Sequence, residues 1–132
     1  MGAPVARPRL LLADDEVLIR ELVGDSLEEA GYQVVAVSSG VEAFEALDGE
    51  GDFIALVTDI NFGGPPVGWD VAVRAREIRS NIAVVYMTGD SGHEWSARGV
   101  PQSTIVTKPF APSQIAVAVA NLLNASDVGP PA

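Results

Sequence analysis

Five short apolar runs, each succeeded by a stretch of different periodicity, leave few folds open to this chain. Residues 9–13, 32–37, 53–58, 82–87 and 104–107 are strand-length and almost continuously hydrophobic, as strands buried on both faces must be. Between the first two, residues 17–30 carry apolar side chains at 18, 19, 22, 23, 27 and 30, one face of a helix, and Gly31 sits where a helix stops. Further helices are predicted over 41–47, 69–79, weakly over 92–98, and over 112–123, where Pro112 suits a first turn. Strands alternating with helices build an open parallel α/β sheet covered on both faces. Right-handed crossovers bring every strand's C-terminal end to one edge, where ligands bind such sheets.

A chain of 132 residues has room for one such domain. It is expected over 9–124, between disordered tails at 1–8 and 125–132 that are rich in proline, glycine and small residues. With 48% hydrophobic and 20% charged residues a packed core is within reach. Cysteine is absent, which excludes a disulfide scaffold or a thiolate metal site and suits a reducing cytoplasm. The first nine residues lack the apolar segment of a signal peptide, and no apolar run is long enough to span a bilayer. A net charge of −10 argues against nucleic acid as a partner, because a phosphate backbone would be repelled. The protein reads as soluble and cytoplasmic.

The residues at the strand ends are more informative. The first strand delivers Asp14 and Asp15, the third Asp59, the fourth Thr88 and the fifth Lys108. Three carboxylates gathered at one edge repel each other unless a cation sits among them. Mg²⁺ is the natural guest, a hard ion that takes oxygen ligands and keeps some waters. Thr88 offers a hydroxyl donor. Lys108, the only lysine in the chain, offers a compact positive charge. Such a set attracts and neutralises a phosphoryl group.

The blocks Leu12-Ala13-Asp14-Asp15-Glu16, Thr58-Asp59-Ile60-Asn61, Met87-Thr88-Gly89 and Thr107-Lys108-Pro109-Phe110 together resemble the receiver domain of bacterial two-component response regulators. The resemblance covers about residues 8–124 and fits a single-domain response regulator as well as a piece of a longer one. It implies a flavodoxin-like doubly wound (βα)5 fold with strand order 2-1-3-4-5. It implies that Asp59 is the phosphoacceptor, taking its phosphoryl group from a histidine kinase or a histidine phosphotransfer protein. Asp15 and Asp59 would ligate Mg²⁺ (or Mn²⁺ in its place), with Asp14 acting through water and Asn61 through its backbone carbonyl. Thr88 would bond a phosphoryl oxygen, Lys108 would pair with the acyl phosphate, and the Lys108–Pro109 bond would be cis. The domain would be no enzyme beyond its own phosphorylation and dephosphorylation.

Three stretches depart from the family's pattern. The loop after Asp59 reads Ile60-Asn61-Phe62-Gly63-Gly64-Pro65-Pro66-Val67-Gly68, where the family has Met-Pro at positions 62 and 63 and reaches its closing glycine one residue sooner. Ile105 stands where the family places an aromatic switch residue. Residues 91–103 replace a Gly-Ala-Asp pattern; within them His93 reads as an exposed histidine, and Trp95 as either a recognition anchor or a core residue.

Residues 111–125 contain no charged side chain. The face formed by residues 91–124 is therefore a candidate surface for a homodimer or an effector protein, with Val119 among the residues expected on it. Val17, Leu18 and Arg20 are candidate contacts for the kinase. Two other functions fit less well. A Mg²⁺-dependent aspartyl-phosphate phosphatase needs a second aspartate where this chain has Asn61, and a flavin-binding domain would not place Asp14-Asp15-Glu16 in its phosphate loop. A degenerate receiver that acts only as a binding module is a third alternative, favoured by Ile105 and the altered loop but opposed by the intact set of Asp14, Asp15, Asp59, Thr88 and Lys108.

Overall fold

The sheet divides the interior in two. A computed structural model describes residues 7–49, 52–89 and 92–128, with side chains through 125. Its elements are β1 (Arg9–Ala13), α1 (Val17–Glu29), β2 (Gln33–Val37), α2 (Gly40–Gly49), β3 (Ala55–Asp59), α3 (Gly68–Ile78), β4 (Ala83–Thr88), a 3-10 turn (Gly92–Glu94), α4 (Trp95–Arg98), β5 (Ser103–Thr107) and α5 (Pro112–Val128). All strand pairs are parallel, in the order β2-β1-β3-β4-β5, so the expected flavodoxin-like topology is present.

Alternation along the strands sorts side chains between the two faces. Leu11, Ala13, Leu56, Val84 and Tyr86 pack with Ala43 and Leu47 of α2 and Trp69, Ala72 and Ala75 of α3. Leu10, Leu12, Ala55, Val57, Val85 and Met87 pack with Val23 and Leu27 of α1 and Ile115 and Val119 of α5. Residues 10–13, 55–57 and 83–87 of these central strands are hydrophobic at every position because both faces are covered. In the first of the two cores Trp69 and Tyr86 meet with ring centroids 4.7 Å apart. The buried Tyr86 hydroxyl accepts the Val100 N–H at 3.0 Å, which ties β4 to the segment entering β5.

The expected elements are present with three differences. The helix expected over 92–98 is a 3-10 turn followed by one turn of α-helix. The last helix continues past 123 to Val128, because no glycine or proline interrupts the chain before Gly129. Residues 125–128 of the expected tail are thus helical, while 1–6 and 129–132 lie outside the described residues. Arg7 and Pro8, also placed in a tail, join the fold: Arg7 Nη2 donates to Glu28 O at 2.6 Å, and Gln33 N–H donates to Pro8 O at 2.8 Å. Among the described residues no helix is long and apolar enough to cross a membrane.

Candidate functional site

Strand register assembles the site. Ala13 lies beside Thr58 and Asp59 beside Met87, so the residues that end β1 and β3 stand next to each other at the C-terminal edge. Thr88 pairs with Thr107, and the Lys108 N–H donates to Thr88 O at 2.7 Å, which brings the ends of β4 and β5 to the same place. The Lys108–Pro109 peptide is cis, as is Pro65–Pro66.

Asp14, Asp15 and Asp59 each offer a carboxylate oxygen within 4.8 Å of the others. Asp14 is fully buried, Asp59 is 6% exposed, and Asp15 faces solvent. Asp14 Oδ1 accepts the Glu16 N–H at 2.8 Å, but Asp14 Oδ2 is buried without a hydrogen-bond partner. Burial raises the Asp14 carboxyl to about 6, with the nearby charge of Asp59 adding to it and the Glu16 N–H opposing it. Burial also raises Asp59, opposed by Lys108 and by the backbone N–H groups of Ile60 and Asn61. A buried carboxylate oxygen with no donor, inside a cluster of hard oxygen ligands, fits a small divalent cation such as Mg²⁺.

Lys108 reaches into this cluster from β5. Its Nζ lies 3.0 Å from Glu16 Oε1, 3.5 Å from Asp59 Oδ2 and 4.0 Å from Asp14 Oδ2. Partial burial works against its charge, yet the Glu16 hydrogen bond and the charges of Asp59, Asp14 and Glu16 hold its pKa above the usual lysine value. Thr88 is buried at the neighbouring strand end, and Asn61 is exposed two residues beyond Asp59. All six residues singled out in the sequence are therefore at one edge of the sheet. The sequence marks Glu16 only as part of an acidic run; its contact with Lys108 spans 92 positions and has no local signal.

The loop from Asp59 to α3 is tightly seated. Gly68 N–H donates to Ile60 O at 2.7 Å, and a Cβ on Gly68 would stand 2.2 Å from Asp59 O. Farther along the loop Pro66 O lies against Gly40, at the start of α2, where a Cβ would be 2.1 Å away. On the other side, a Cβ on Gly92 would lie within 4.0 Å of Thr88 Cγ2, Ile105 Cδ1 and Thr107 Oγ1, so these three side chains share the face beneath that turn.

The surface expected from the uncharged last helix needs one correction. Val119 is fully buried against the sheet, as is Ile115 one helical turn before it, whereas Val117 is 57% exposed. A groove of about 530 Å³ runs between β5 and α5, lined by Ile105, Val106, Thr107, Val117 and Asn121 among others. Trp95 is 36% exposed, its Nε1–H donated to Ser103 Oγ at 3.0 Å. His93 is exposed, its Nε2 3.8 Å from Glu94 Oε1.

Comparison with known proteins points the same way. The family model described as response regulator receiver domain matches residues 10–120. A response regulator receiver protein from Sinorhizobium medicae, solved by crystallography, is 45% identical, with a TM-score of 0.87 and coverage of 90% of this chain and 96% of that one. The chemotaxis protein CheY1 of Helicobacter pylori is 30% identical over 125 residues, covering 90% of this chain and 99% of CheY1. The aerobic respiration control protein ArcA of Escherichia coli is 29% identical over 121 residues, 89% of this chain but 49% of ArcA, so this chain spans about half that relative's length.

Proposed function

The chain belongs to the response regulator receiver domain family of two-component systems, and we propose that within it Asp59 is the phosphoacceptor, loaded by a histidine kinase or a histidine phosphotransfer protein. The observation that carries this reading is the convergence of Asp14, Asp15 and Asp59 with Lys108 at one sheet edge.

A carboxylate oxygen of Asp59 attacks the phosphorus of a phosphohistidine or a small acyl phosphate. The bond from phosphorus to the donor breaks, and a mixed anhydride forms on Asp59. Asp15 and Asp59 would hold Mg²⁺, with Asp14 acting through water and Asn61 through its carbonyl, and the bound ion supplies charge for the phosphoryl oxygens. Lys108 supplies the second positive charge, its Nζ 3.5 Å from Asp59 Oδ2. Ile60 and Asn61 orient the attacking carboxylate through their N–H groups. Thr88 then donates its hydroxyl to a phosphoryl oxygen. The acceptor is the domain's own Asp59, so its catalysis is confined to its own phosphorylation and dephosphorylation. A cytoplasmic location agrees with such a donor.

Incubation with acetyl phosphate and Mg²⁺ should add about 80 Da, one phosphoryl group, to the intact mass. Asp59→Asn should show no adduct. An unmodified wild type, or an adduct that survives the substitution, would falsify the assignment.

The output is self-association or effector docking across the face formed by residues 91–124, with the β5–α5 groove and Val117 at its centre. Sedimentation with beryllofluoride, a phosphoryl mimic, should show a higher mass than without it. Val117→Glu should cancel the increase. Equal masses in all arms exclude self-association and leave a separate effector as the partner.

A further inference from the structure

We propose that Glu16 is the resting partner of Lys108 and a positioning residue for phosphoryl transfer, holding the ammonium group short of Asp59 until a phosphoryl group draws it away. This rests on the reading of Asp59 as the phosphoacceptor.

Glu16 occupies the N-cap of α1, where a side chain ordinarily accepts a backbone N–H of the first turn. It makes no such bond. Its carboxylate instead crosses the mouth of the cleft to Lys108, and at 3.0 Å this is the shortest of the three contacts made by Nζ. The contact with Asp59, at 3.5 Å, is at the outer limit of a hydrogen bond, and that with Asp14, at 4.0 Å, is beyond it. The ammonium therefore rests nearer the glutamate than the residue it is meant to serve.

Charge decides when it moves. A divalent cation among the three aspartates would offset their pull on Lys108, whereas Glu16 lies outside that cluster. A phosphoryl group on Asp59 brings a charge of roughly −2 and three acceptor oxygens, which outweighs a single carboxylate that is 59% exposed to water. Lys108 then leaves Glu16, and the lost contact is subtracted from the stability of the phosphorylated state. Glu16 thus sets how firmly that state is held. Removing its charge should strengthen the hold about two- to fivefold, the range measured for half-exposed ion pairs.

Lys108 is the sole lysine, so lysine-selective ¹³C labelling of the whole chain gives a single side-chain Cε–Hε cross-peak. At saturating Mg²⁺ the resting cross-peak of Glu16→Gln should lie displaced from wild type toward its beryllofluoride-bound position. Beryllofluoride should bind Glu16→Gln about two- to fivefold more tightly, and Glu16→Asp should fall between the two proteins in both readouts. A resting cross-peak coincident with wild type, or beryllofluoride affinity equal to or below wild type, overturns the proposal. Wild type that neither binds beryllofluoride nor gains the phosphoryl mass overturns the phosphoacceptor reading instead, while the cross-peak comparison still reports whether Glu16 holds Lys108.

Discussion

Gly68→Ala should lower the unfolding free energy by about 3 kcal/mol and slow phosphorylation of Asp59 by roughly a hundredfold. The added Cβ would stand 2.2 Å from Asp59 O, 2.7 Å from Ile60 Cα and 3.0 Å from Asp59 C, all of them backbone atoms that cannot rotate away. Relief requires the end of β3 and the start of α3 to separate, against the 2.7 Å hydrogen bond from Gly68 N–H to Ile60 O. That displacement acts on Asp59, the proposed nucleophile, so stability and chemistry should fall together. Gly64→Ala is the matched control, because nothing lies within 4 Å of a Cβ there and no positive φ is involved. Urea unfolding and the rate of acetyl-phosphate labelling measure the two effects. Equal behaviour of Gly68→Ala and Gly64→Ala would refute the tight seat.

Asp14→Asn should have the opposite sign in metal-free buffer. The Asp14 carboxyl titrates near 3.8 in an unfolded chain and about 6 in the folded one, chiefly through burial. Between these values the folded state binds more protons than the unfolded state, so stability declines as pH rises across the window and stays at the lower level above it. Asp59, also raised, acts in the same direction. The full linkage would be about 3 kcal/mol; solvent at the cleft mouth, where Asp15 is exposed, should reduce it to about 2 kcal/mol. With EDTA at pH 7.5, Asp14→Asn should be more stable than wild type by that amount, and the advantage should shrink toward pH 5. Saturating Mg²⁺ should stabilise wild type more than Asp14→Asn. Urea midpoints across pH, with and without the cation, decide it; a variant no more stable than wild type in EDTA would contradict the picture of a buried carboxylate with one oxygen left without a hydrogen bond.

The strand-end residues are legible in the sequence because period and position coincide. An apolar run that stops at a charged residue places that residue at the sheet edge whatever the loops do, and three such stops, after β1, β3 and β5, define the cleft. The strand order comes from likeness to a family, since runs of this kind do not reveal which strands are neighbours. The face of α5 is hard to read for a simple reason. A helix without charges shows no polar stripe to mark its outside, although Ile115 and Val119, four apart, share a side that Val117 does not. The contacts of Glu16 with Lys108, Tyr86 with Val100 and Pro66 with Gly40 join segments 14 to 92 positions apart, through geometry that no local pattern encodes. The last helix runs beyond its apolar period because continuation needs only the absence of a breaker.

The sorting of side chains by the sheet has a consequence for how such a domain can diverge. Asp14 and Asp59 continue the strand positions that pack on α1 and α5, whereas Thr88 continues those of Val84 and Tyr86, which pack on α2 and α3. The proposed acceptor Asp59 and the hydroxyl of Thr88 thus face different compartments that share little more than strand backbone. Ile105 lies on the side of Thr88. On that side too Tyr86 of β4 is tied to the segment entering β5 through the Val100 N–H, away from the acidic cluster. The sheet is in that sense a partition: substitutions on one face need not be felt by side chains on the other.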